Sequence, residues 1–111
     1  MPNESLDELT RHHLEVARTA SSGRSAQTLF GGHDHVLRQT LIALRAGSAL
    51  DEHENPGEAT LQVLHGQVSL STNGSSTDGS AGDLMVVPDA RHALKANEDS
   101  VILLTVGKRN G

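Results

Sequence analysis

Seven of the 111 residues are histidine and none is cysteine. Disulfides, thiolate metal sites and thiol nucleophiles are therefore excluded, and imidazole becomes the main candidate donor. It suits first-row transition metals such as zinc, iron, copper and nickel. His53 and His92 draw attention through their surroundings. Alternate residues of a strand share a face. That rule groups Asp51, His53 and Asn55, and sends Glu52 and Glu54 to the other side. It groups Ala90, His92 and Leu94 as an apolar, inward set, with Arg91, Ala93 and Lys95 opposite. The two histidines meet only if their strands are neighbours. A metal between them needs a further donor: Asp51, Asn55, a glutamine or water. The plainer alternative is two barrel histidines hydrogen-bonded to neighbours, with Asn55 a turn residue ahead of Pro56-Gly57.

His33 and His35, two residues apart after Gly31-Gly32, share a face and read as a solvated loop or interface pair. His12 and His13 fall on a helix surface, His13 partly on its packed side, and His65 is expected to be exposed. Glu52, Glu54 and Glu58 make a solvated acidic rim. Arg38 is a candidate anion partner, with a surface salt bridge as its plainer fate. Other chemistries lack their residues. There is no Gly-x-Ser-x-Gly elbow, no glycine-rich phosphate loop and no tyrosine acid. Phe30 is the single aromatic residue, which disfavours base or sugar stacking. The net charge is -5 and no basic run exceeds Lys108-Arg109, which argues against nucleic acid. No apolar run reaches membrane length, and the start shows no cleavage signal. The expectation is a soluble, cytoplasmic protein with no membrane partner.

The elements that must position these residues are short. Ser5 caps a helix with Glu8 as its capping-box partner, and Leu6, Leu9, His13, Val16 and Ala20 recur at helical spacing. Ser21–Ser25 reads as a linker. From Gln27 the pattern is that of strands. Gly66 kinks one apolar stretch into two, Asn73-Gly74 marks a two-residue hairpin, and "SVILLTV" is apolar on both faces and so buried on both. Short strands with frequent turns indicate an antiparallel sandwich or barrel. Gln39 shares a face with Leu37, Leu41 and Ala43, the mark of an inward position. Gln62 lies on a strand that lines or flanks the barrel.

Residues Gln27 to Val106 resemble the cupin family. Gly47, His53 and Gly66 fit its first motif, a glycine, five residues, His-x-His, a glutamate and a closing glycine. Gly82, Pro88 and His92 resemble its second, although the spacing from proline to histidine is one residue short. Asn55 stands at the second histidine and Ala59 at the glutamate, with Glu58 one residue out of register. The resemblance implies an all-β double-stranded β-helix, or jelly-roll barrel, over residues 26–111, behind a helical arm over 1–25. It implies a divalent transition metal (Zn, Fe, Mn or Ni) or a small polar ligand at His53, His92 and Asn55, with Gln39, Gln62 and Asp51 in the pocket. It also implies a homodimer. Losing a carboxylate weakens a cation site, so the motif reads as rearranged. The rival reading is a dioxygenase- or isomerase-type enzyme using His53, His92 and a carboxylate such as Asp51. A third is a metal-free interaction or stress-response module.

Overall fold

The computed structural model describes residues 3–53 and 57–108, and of residues 51–53 only the backbone. One helix, α1 (Leu6–Thr19), precedes nine strands: β1 (Arg24–Phe30), β2 (Leu37–Leu44), β3 (Ala49–His53), β4 (Gly57–His65), β5 (Gln67–Thr72), β6 (Ser75–Ser80), β7 (Leu84–Val87), β8 (His92–Ala96) and β9 (Ser100–Lys108). They form a five-stranded sheet, ordered β1-β2-β9-β4-β7, and a four-stranded sheet, ordered β3-β8-β5-β6. The architecture is an all-β jelly roll with a short N-terminal helix.

The helix begins where its cap predicts. The Ser5 hydroxyl oxygen accepts the Glu8 N–H at 3.3 Å, and Asp7 and Glu8 sit in the first turn, where negative charge complements the helix dipole. The chain turns at Gly23, and β1 starts at Arg24, inside the stretch read as a linker. The buried face of α1 is His13, Leu14 and Ala17, with Leu6 and Leu9 partly covered. Val16, expected on that face, is 41% exposed. The stripe is set by the residues that meet β2, and these lie one position round from Val16.

Turns form where backbone chemistry requires them. Asn73 and Gly74 have φ of 50° and 79°, and Thr72 pairs directly with Ser75. Positive φ at both central residues gives a hairpin turn whose twist matches the flanking strands.

The core has two layers. Between the sheets lie Ile42, Leu44, Leu61, Val63, Val68, Leu94 and Ile102, among others. Beneath the helix lie Leu14, Ala17, Leu41, Ala43 and Val101. Strand β9 serves both layers from the middle of its sheet, so its two-faced apolar pattern is explained. Strand β2 does the same, with Ile42 and Leu44 inward and Leu41 and Ala43 outward.

That division corrects one expectation. Gln39 is on the outer face with Leu41 and Ala43, and its side-chain amide donates to the Thr105 hydroxyl at 3.2 Å. The face is apolar because α1 covers it, not because it lines the barrel. The pocket position expected for Gln62 is corrected too, although its alternation with Leu61 and Val63 holds. The residue is exposed, opposite Leu84 and Leu103 on the outer face of β4, while Leu61 and Val63 point inward.

Candidate functional site

Position 59 shows what the barrel interior has become. Ala59 is 5% exposed and packs in the inner core. Its ladder partners are Val87 and Val106. Glu58 is exposed, as its register requires. The family's carboxylate position is thus occupied by a methyl group among aliphatic neighbours.

His92 opens β8 and is 4% exposed. It shares a cavity of about 20 Å³ with seven aliphatic side chains, including Leu50, Leu61, Leu94 and Leu104. That is room for about one water molecule. The ring is oriented by its own chain: Nδ1 lies 2.9 Å from the Ala90 carbonyl oxygen. A carbonyl only accepts, so Nδ1 carries the proton, and in the neutral ring Nε2 is the atom with a lone pair. A backbone carbonyl on the far nitrogen is also how ligating histidines are commonly held.

Strand β3 lies beside β8, and across that antiparallel ladder His53 is paired with His92 after a register shift beyond Leu50. The backbone thus brings together the two positions that the sequence singled out, although they are far apart in the chain. Asp51 lies on the same short strand. The side chains of Asp51 and His53, and all of Asn55, lie outside the described residues. Among the described residues, no group of three or more His, Cys, Asp or Glu could hold a metal ion. His92 is the one described metal-binding side chain on the cavity wall. An imidazole among hydrocarbon neighbours does not by itself fit a firmly held dication, because it supplies no charge to offset desolvation.

The other histidines separate cleanly. His33 and His35 are exposed in the β1–β2 loop, with the His35 ring set edge-on to Phe30 at 5.1 Å. His65 is exposed. His13 is more deeply placed than expected, at 7% exposure. Its Nδ1 is 2.6 Å from the Ser25 hydroxyl and its Nε2 is 2.8 Å from the Gln27 side-chain oxygen. Those two bonds join α1 to β1. The sequence signal was a histidine one turn from Leu9 and Ala17 on the covered face.

A second anchor lies at the other end of the helix. Asp99 accepts from Arg18 at 2.8 Å and from the Ala46 N–H at 2.8 Å. The Arg18 hydrogen bond, followed by that of Ala46, holds the Asp99 carboxyl below its usual range.

No protein-family model matches the sequence, and no curated protein does. Solved structures do match. A conserved Streptococcus pyogenes protein of unknown function is 27% identical with a TM-score of 0.73, over 83% of this chain and 80% of that one. A cupin 2 conserved barrel domain protein from Leptotrichia buccalis is 26% identical with a TM-score of 0.73, over 85% of this chain and 45% of that one. The chain has the fold of a small cupin domain. The cupin fold extends to larger proteins. Salicylate 1,2-dioxygenase from Pseudaminobacter salicylatoxidans matches at 22% identity with a TM-score of 0.73, over 90% of this chain and 33% of that one. At that identity the likeness to the dioxygenase is one of fold. Among the described residues, no helix is long and apolar enough to cross a membrane.

Proposed function

We propose that this cupin is a small-ligand-binding barrel whose polar end is the His53–His92 pair. The observation that carries the reading is the β3–β8 register, which sets His53 against His92. Residues directly opposite in an antiparallel pair have Cβ atoms about 5 Å apart, close enough for two imidazoles to share one polar group or one metal ion. The aliphatic cavity beside His92 has room for about one water molecule, which favours a ligand no larger than a metal ion or a water-sized polar group. A divalent transition metal is the simplest ligand for two imidazoles. With Ala59 in place of a carboxylate, such a metal is held weakly and exchanges with solvent, with Asp51, Asn55 or water completing its shell. The homodimer belongs to the same proposal. Phe30, Val36 and Leu37 support it, being 49%, 55% and 43% exposed at one end of the β1–β2 pair.

The test is metal content and metal titration on untagged protein. The proposal expects substoichiometric metal after purification, then saturable uptake of one Zn²⁺ or Ni²⁺ per chain that is lost in both His53→Ala and His92→Ala. Uptake unchanged in either variant contradicts it. Light scattering reads the dimer independently.

A further inference from the structure

A second cavity lies on the flank of the barrel. Strands β6 and β7 follow one another in the chain but are the edge strands of different sheets. Their connection is pinned to β4, with Gly82 N–H donating to the Val63 carbonyl at 2.8 Å and Val63 N–H to the Asp83 carbonyl at 2.9 Å. Near that turn the edges touch. Met85 lies so close over Gly79 that an added Cβ would collide with its sulfur. Beyond the contact, between β6 and β7, is a slot of about 400 Å³, far larger than the space beside His92. This is within the size range of small-molecule sites.

The two walls differ in chemistry. Thr77 stands opposite the core residue Leu70, and Ser75 opposite Thr72. Thr72, Ser75 and Thr77 therefore continue the inward face of the small sheet as a row of hydroxyls where its aliphatic residues end. The facing wall is Met85, with Leu84 and Val86 at the lip, 68% and 75% exposed. Asp83 lies at the turn end, one carboxylate oxygen accepting the Ser80 N–H at 2.8 Å. The Thr72 hydroxyl already donates to the Arg91 carbonyl at 2.8 Å, so it offers only lone pairs to the slot. No lysine, arginine, histidine or aromatic side chain lines the cavity among the described residues.

The slot is therefore free of cationic side chains among the described residues, lined by hydroxyls, aliphatic on one side and negative at the Asp83 end. The geometry points to a binding site for a small aliphatic ammonium ion. Its ammonium group lies at Asp83, and its hydrocarbon tail runs along Met85 toward Thr77. A neutral alcohol of the same length supplies one donor and no charge. A carboxylate is repelled. The slot shares Leu70 with the cavity beside His92, and the inference does not rest on the His53–His92 reading.

Amide ¹H–¹⁵N spectra of the full chain, titrated with n-butylammonium, n-butanol or butyrate, test the site. Saturable shifts are expected with butylammonium at residues 77–80 and 83–87, at least tenfold weaker with butanol and absent with butyrate. Asp83→Asn, which keeps an acceptor for Ser80, should weaken butylammonium binding severalfold, and more than Ser75→Val with Thr77→Val, which keep the strand. Equal responses to butyrate and butylammonium overturn the proposal, as does an absence of saturable shifts at these amides. So do the same shifts produced by raising protein concentration alone, which would make the slot a contact between copies.

Discussion

Replacing Ala59 with glutamate restores the carboxylate of the cupin motif inside a pocket that has been rebuilt around a methyl group. Ala59 is 5% exposed, between Val87 and Val106. The longer side chain overpacks this site at about 1–3 kcal/mol. A carboxylate there loses water without gaining a described cation, and full burial raises such a pKa by as much as about 3–5 units. Position 59 is close to the end of its strand, so we take about 2 units, which is about 2.7 kcal/mol. The total cost near neutral pH is about 4–6 kcal/mol. The folded-state pKa lies above the unfolded value of about 4.3, so the folded form binds the proton more tightly. The electrostatic part of the deficit is thus absent at pH 4, grows as pH rises through the window above it and is complete above the folded pKa. If His53 and His92 share a metal, the new carboxylate completes its ligand set. Free Zn²⁺ at about 100 times its Kd then returns about 2.7 kcal/mol. Urea unfolding of wild type and Ala59→Glu at pH 4.5 and 7.5, with and without Zn²⁺, reads every term. A deficit below about 1 kcal/mol that is flat with pH would refute the reasoning, because position 59 would then be solvated.

Three further outcomes follow from the fold. Asp99 has a folded pKa below its unfolded value, so its stabilising contribution is present above about pH 4 and is lost as pH falls through the folded pKa. Urea midpoints should therefore fall more steeply in acid for wild type than for Asp99→Asn, with a difference under about 1 kcal/mol at pH 7 because the ion pair is exposed; parallel profiles contradict this. His13→Ala removes a buried ring and both bonds to β1, and should cost about 2–3 kcal/mol in chemical denaturation, whereas a loss under about 0.5 kcal/mol would mean that the helix docks without it. Gly66 has φ of 81°, and an added Cβ would strike the Asp99 carbonyl and Ser100, so Gly66→Ala should cost about 2 kcal/mol or more. An unchanged thermal midpoint would show that the turn can rearrange.

The sequence carried whatever depends on local periodicity and turn chemistry. Ser5 with Glu8, Asn73-Gly74 and the kink at Gly66 act within a few residues, and each predicts a feature of the fold. The alternation of Glu58 and Ala59 is legible because one face of β4 meets water. Alternation failed at Gln39 because both faces of β2 are apolar, and a period of two cannot say which face the helix covers. Val16 was misplaced for a related reason, since a narrow helical stripe leaves its exact rotation to the surface it meets. The pairing of His53 with His92 depends on a register between distant segments. The family motif suggested those positions, but local pattern alone could not establish the contact. The slot between β6 and β7 was not legible, since it exists only where two sheets part.

The proposed function requires His53 and His92 to act as one site. Long-range ¹H–¹⁵N spectra of the imidazole nitrogens, followed through a Zn²⁺ titration of untagged protein at neutral pH, test it most directly. One ring nitrogen of each histidine should shift together, saturating at one equivalent, with Nε2 responding in His92 and its Nδ1 remaining protonated. A response from only one of the pair, or from His33 and His35 in their place, would contradict it.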